Sequence, residues 1–269
     1  MKFKKIFMTT LIVFAQAVTT PYTSYAAPAS FYEAGDTIVR EMSHISQNSF
    51  CSSLTFDSAE EVISFVDFFR KEYYNGNRPL VYKYADKSGV YKIQIEAPCS
   101  METIASEHTD NTAAILKIAQ ESIGRTEEET VNNIASYVEE ALYYDNDAAA
   151  VINQERAESV VGPMNRQYQA IGYSLTTGSA ICYDYAMIAQ RILQAAGIEA
   201  AVAMNAEHAF NLIRIEGQDY LYDLTEADGG YGSNVMKIPF SVKGMEMLKN
   251  TTGIDYTITS SFPNDYFEI

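Results

Sequence analysis

The chain has 269 residues, with 19 Lys and Arg against 35 Asp and Glu, a formal charge of −16, 47% hydrophobic residues and three each of Cys and His. This is globular composition, too apolar and too aromatic for disorder and ample for a sizeable core. The acidic balance offers no clustered cations to displace counterions from a phosphate backbone, which argues against nucleic acid as a partner. Cys51, Cys99 and Cys182 show no CxxC spacing, so a structural zinc site has no ligands at suitable separation.

Residues 1–26 begin with Lys2, Lys4 and Lys5, continue through a mostly apolar run from Ile6 to Ala15, and end on Ser24, Tyr25 and Ala26. Small residues three and one before Ala27 form an A-x-A-like cleavage site, so this segment reads as a signal peptide. The run is interrupted by Thr9 and Thr10, closes at Gln16, and falls short of the roughly 20 apolar residues that a spanning helix requires. The mature chain is therefore expected to be secreted and to have no membrane contact once the leader is removed.

Between Asp57 and Asn75, Val62, Phe65, Val66 and Phe69 recur at helical spacing, and Ser58 with Glu61 forms a capping-box signature. Two β-prone runs follow, Leu80 to Tyr84 and Val90 to Ile95, joined across Asp86, Lys87, Ser88 and Gly89 as a hairpin. A second helix is predicted near Asn111 to Ile123. The clearest helix comes next, opened by a box of Thr126 and Glu129 and carried by Val131, Ile134, Val138 and Leu142. Its first-turn acids, Glu127 to Glu129, sit where the helix dipole favours negative charge.

Periodicity fades from Asp145 to Met164. A helix from about Cys182 to Ala196 then shows Ala186, Ala189, Ile192 and Leu193 on one side, with Gly197 placed to end it. Three β-prone runs complete the block: Glu199 to Ala203, Ala209 to Ile215, and Tyr220 to Leu224. The fold class expected is α+β, with a signal peptide over 1–26, an N-terminal helix-and-hairpin extension over 27–104 and one domain over 105–269.

A nucleophilic thiol needs a stabilised anion, an adjacent imidazole and a third group to orient that ring. Cys182 falls at a predicted helix N-terminus, where unpaired N–H groups and the dipole favour the thiolate. His208 opens a predicted strand and Asp223 lies near the end of the next. If Gly217 and Gln218 form a two-residue turn, Glu216 faces Asp219 and His208 faces position 227. Asp223, four residues from 227, then shares the face of His208 but is staggered along the strands, so parity permits the pairing without giving contact. Singly, each has an ordinary reading: a buried small hydrophobe, a hydrogen-bonded surface ring and a turn former. Together they supply thiol, imidazole and carboxylate within about 40 residues.

The run Ala180, Ile181, Cys182, Tyr183, Asp184, Tyr185, Ala186, followed by Leu193, Ala196, Gly197 and Ile198, resembles the nucleophile segment of the transglutaminase-like superfamily. His208 to Leu212, then Gly217, Tyr220, Asp223, Leu224 and Thr225, resemble its histidine and aspartate segments, at separations of 26 and 15 residues that are similar to those of bacterial members. The resemblance implies a papain-like thiol fold in which the nucleophile helix packs on an antiparallel sheet, with Cys182 as nucleophile, His208 as acid and base, and Asp223 orienting the imidazole. Ala180 stands where Gly is frequent, and Phe210 replaces the usual Trp, keeping an aromatic wall but losing an indole donor.

The function expected is acyl transfer on protein or peptide amides through a Cys182 thioester. Water as acceptor gives a peptidase or deamidase, and a primary-amine co-substrate gives a transglutaminase. The alternative is an exported binding protein that keeps the fold without turnover. The backbone N–H of Cys182 is the first candidate oxyanion donor, and Gln167, Gln169 or Tyr173 the second. Cys51 and Cys99 could form a disulfide in an exported chain. His44 and His108 read as non-catalytic. No metal or other cofactor is called for by these residues, with calcium left open in so acidic a chain.

Overall fold

The computed structural model describes residues 29–78, 80–87, 90–151, 171–204, 208–225, 236–239 and 257–258. The expected leader and two oxyanion candidates, Gln167 and Gln169, lie outside these residues. The first described element, α1 (Ala29–Met42), is a helix not among the expected elements. It buries Phe31, Ile38 and Met42 on one stripe. A short strand, β1 (Ser49–Cys51), leads to α2 (Ala59–Phe68), whose cap is the one expected: Ser58 Oγ accepts from the Glu61 N–H at 3.1 Å. The Glu61 carboxylate closes the box one residue early, on the N–H of Asp57 at 2.8 Å.

Beyond Phe68 the chain widens into a π-helical turn, Phe69–Tyr73, closed by the Tyr74 N–H on the Phe69 carbonyl at 2.7 Å. Phe65, Phe68 and Phe69, at i, i+3 and i+4, are all buried on one face. The hairpin follows as β2 (Val81–Lys87) and β3 (Val90–Glu96), in register Lys87 to Val90, with sheet order β1-β3-β2. Gln94, not Cys99, faces Cys51 across this sheet, and all three cysteines are free thiols.

The next helix, α3 (Met101–Ser122), begins ten residues before the predicted start. Its early turns carry Met101, Ile104, Ala105 and His108 into the N-terminal core, while Ile115 and Ala119 enter a second core. The boundary expected at 104/105 thus falls inside one helix that serves both. In α4 (Glu127–Ala141) Thr126 Oγ1 accepts from the Glu129 N–H at 3.0 Å as expected, and the Glu129 carboxylate again reaches one residue early, to the Arg125 N–H at 2.7 Å.

A two-residue strand, β4 (Tyr143–Tyr144), pairs in parallel with β5 (Ser179–Ala180), which follows the short helix α5 (Ile171–Thr177). Then α6 (Cys182–Ala195) lies against an antiparallel sheet of β6 (Glu199–Met204), β7 (Ala209–Ile215), β8 (Gln218–Asp223), β9 (Met236–Pro239) and β10 (Thr257–Ile258), in the order β10-β6-β7-β8-β9. Every α6 residue from Asp184 to Leu193 is buried, because the sheet covers one side and helices cover the other. Ala200 and Val202 on β6 pack in the same core as α6. Gly197, at φ +85°, ends the helix with its N–H on Gln194 O at 3.0 Å and that of Ile198 on Leu193 O at 2.9 Å. Among the described residues, no helix is long and apolar enough to cross a membrane.

Candidate active site

Cys182 is the first residue of α6 and is 9% exposed. Three contacts fix the turn that presents it. The Asp145 N–H donates to Ala180 O at 2.9 Å, and Ser179 Oγ donates to Asp145 Oδ2 at 2.5 Å, which hold the strand entering the helix. The buried Asp184 carboxylate then accepts the N–H of Ile181 at 3.0 Å, capping the helix from its third residue. Burial pushes the Asp184 pKa up to about 7, against the bonds it accepts from Ile181 and from the Ser174 hydroxyl. Because the N-cap is Ile181 and not Ser or Thr, the sequence signature for a capping box does not flag this residue.

The β7–β8 turn differs from the expected one. Ile215 faces Gln218, so the two turn residues are Glu216 and Gly217, at φ 50° and 78°. Positive φ at both positions is the twist-matched type I′ geometry, which Gly217 accommodates without strain. Moving the turn by one residue keeps face parity but slides Asp223 along β8, so that extending the ladder sets His208 opposite Thr225. Asp223 becomes its near diagonal neighbour, and the two side chains meet: His208 Nε2 and Asp223 Oδ2 are 2.6 Å apart. The second carboxylate oxygen accepts the N–H of Thr225 at 3.0 Å, which stops the side chain from rotating away.

Cys182 acts on the same imidazole. With Nε2 engaged by Asp223, Nδ1 is the ring nitrogen left for the sulfur. Burial disfavours charge on His208, but the bonds and opposite charges of Asp223 and Cys182 prevail and push its pKa up to about 10. Phe210 stacks along the ring at a centroid separation of 6.3 Å, so the residue that replaces Trp supplies an aromatic wall. Asn211 ties the histidine strand to the thiol helix, its Nδ2 donating to Ala186 O at 2.8 Å and Ala201 O at 3.2 Å. Neither contact has a sequence signal, since both acceptors are carbonyls on other elements.

The structure therefore brings together Cys182, His208 and Asp223, while Tyr173 is exposed on α5. His44 is exposed. His108 is buried in α3, accepts the Asn75 N–H on Nδ1 at 3.1 Å and is held neutral, with burial and then the charge of Arg191 pushing its pKa down to about 4. Among the described residues, no group of three or more His, Cys, Asp or Glu is gathered to hold a metal.

Residues 113–236, from the second half of α3 to the start of β9, match the family model of a transglutaminase-like domain, so the likeness read from the three segments holds over that span. No curated protein matches the chain. Among solved structures, the chain is similar to a TGase at 16% identity and TM-score 0.33, over 74% of this chain and 55% of that one. It is also similar to a candidate cysteine protease from Cytophaga hutchinsonii at 12% identity and TM-score 0.31, over 73% and 70% of the two chains. A third neighbour, a candidate protease from Parabacteroides distasonis, has 12% identity and TM-score 0.27, over 72% and 42%. The chain spans little more than half the length of the first of these and less than half of the third. Its fold is α+β, and residues 113–236 are similar to a transglutaminase-like domain.

Proposed function

We propose that this protein is an exported thiol acyltransferase acting on protein or peptide amides, with Cys182 as nucleophile, His208 as acid and base, and Asp223 as the group that orients the imidazole. The observation that carries the reading is the 2.6 Å contact of His208 Nε2 with Asp223 Oδ2, with Cys182 at the start of α6 acting on the same ring. A His208 ring that carries its proton at neutral pH is poised to act as the acid. The thiolate adds to the amide carbonyl, with the Cys182 N–H as one donor to the oxyanion. The tetrahedral adduct collapses as the C–N bond breaks, and the His208 Nδ1 proton goes to the departing amine, leaving a thioester. His208 then removes a proton from water or from a primary amine as that acceptor attacks, and the sulfur leaves as thiolate. Export rests on the residue pattern of the leader, with the mature protein working outside the cell.

Incubating the mature protein with casein and a fluorescent primary amine tests the activity and names the acceptor. Label incorporated by the wild type and absent with Cys182→Ala identifies a transglutaminase. New fragments or released ammonia without label identify hydrolysis. Neither product from a correctly folded protein overturns the enzymatic reading and leaves an exported binding protein.

A further inference from the structure

The strongest buried polar cluster outside the site lies where the N-terminal layer meets α6. Its centre is Arg191, nine residues along the helix from Cys182, or about 13 Å at the usual rise. Nε donates to Asn75 Oδ1 at 3.1 Å and Nη2 to Lys71 O at 2.6 Å. Nη1 stands 3.8 Å from Glu72 Oε2, with side-chain exposures of 6% and 7% for the pair, and Gln190 donates to the same Glu72 oxygen at 3.2 Å. The stripe continues up the helix to Tyr183, beside the nucleophile, which is within electrostatic reach of Arg70, Glu72 and Arg191.

The same short segment is gripped from two further sides. On α3, His108 accepts the Asn75 N–H at 3.1 Å, Thr112 accepts from Asn75 Nδ2 at 3.0 Å, and Asn111 donates to Asn75 O at 2.7 Å. On α5, Gly172 donates its N–H to Gly76 O at 3.1 Å, and a Cβ there would lie 2.1 Å from Asn111 Nδ2 and Asn77 Oδ1. Residues 71–77 thus bridge α3, α5 and α6, and α5 leads directly into the strand before Cys182.

Burying a guanidinium, a carboxylate and several amides is costly, and apolar side chains of similar volume could join two layers as firmly. What a directional network adds is register, because its donors and acceptors match in one axial setting of the helix, whereas an apolar interface tolerates sliding. The axial setting of α6 decides how far the Cys182 sulfur stands from His208.

We propose that the segment Lys71–Asn77, gripped by Arg191, is a positioning element for the nucleophile: the N-terminal layer sets the register of α6, and Arg191 and Asn75 are positioning residues for Cys182. This rests on the reading of Cys182 as nucleophile. The residues before the matched family span are then part of the working scaffold and not an appended module.

The test is the rate of Cys182 alkylation by iodoacetamide between pH 5 and 9, on mature protein carrying Cys51→Ser and Cys99→Ser, alongside thermal unfolding. Arg191→Lys keeps the charge but cannot reproduce the fork to Asn75 and Lys71. Gly172→Ala drives a methyl into the junction from the α5 side. Each is expected to lower the neutral-pH rate by about tenfold and to move the pH profile towards that of an ordinary cysteine, with unfolding still cooperative. Thr112→Val removes only the hydroxyl that holds Asn75 and decides the matter if the stronger variants do not unfold cooperatively, with an expected loss of about two- to threefold. An unchanged pH profile in folded variants overturns the positioning role while leaving the acyltransferase reading intact. A parent protein whose Cys182 reacts like an ordinary thiol overturns that reading, and the positioning role with it.

Discussion

His208 and Asp223 meet on a diagonal of the β7–β8 ladder, Nε2 to Oδ2 at 2.6 Å, although neither residue lies directly opposite the other. The carboxylate accepts the Nε2 proton and leaves Nδ1 to face Cys182. Asp223→Asn can present an amide N–H to Nε2 and favour the wrong tautomer. It is expected to lower the acyl-transfer rate by about 10²- to 10⁴-fold with little change in thermal midpoint, as measured by amine incorporation and calorimetry.

The His208 pKa of about 10, raised from 6.5, ties stability to pH. A group whose folded-state pKa is raised contributes stability that is fully present below the unfolded value and is lost as pH rises through the folded one. Between pH 6.5 and 10 the folded protein therefore binds more protons at this ring than the unfolded chain does, and stability falls. Thermal midpoints should decline across this window in the wild type and decline less in His208→Gln. Parallel curves for the two proteins would show that the ring is not the charged partner of Cys182.

Asp184 carries the same sign at lower pH. Its buried carboxyl, raised from 3.8 to about 7, favours the folded state when protonated, so its contribution falls as pH rises from about 4 to 7. Asp184→Asn keeps an acceptor for the Ile181 N–H without a buried charge and is expected to raise the midpoint at pH 8. Asp184→Ala removes the cap and should cost about 1 kcal/mol at pH 5, read from urea unfolding.

Asn211 fills two acceptors at once, the carbonyls of Ala186 and Ala201, in a site 1% exposed. Asn211→Ala leaves both carbonyls buried without this donor and is expected to cost about 2 kcal/mol in urea unfolding. Because the bond to Ala186 joins the histidine strand to the thiol helix, the same variant should also slow Cys182 alkylation. Loss of stability with an unchanged alkylation profile would assign Asn211 to packing alone.

Much of this protein is local in origin and was legible. The caps at Ser58 and Thr126, the helix opened by Cys182 and closed by Gly197, and the strands through 199–223 follow from patterns a few residues long, as does the order of thiol, imidazole and acid. The α1 stripe of Phe31, Ile38 and Met42 is an equally local pattern. By contrast, α3 starts early because its first turns pack on the N-terminal core, a partner that the local pattern does not name.

The amino-acid order alone determined which side chains could do chemistry and on which face of the ladder they lie, since strand parity survives a shift of the turn. Contact between them was decided in three dimensions. Positive φ at Glu216 and Gly217 set the register that closes His208 on Asp223, and Asn211 and Arg191 hold the thiol helix through carbonyls, an amide and a carboxylate on distant elements. Hydrogen bonds of that kind depend on where remote backbone atoms come to rest, which short-range sequence patterns do not encode.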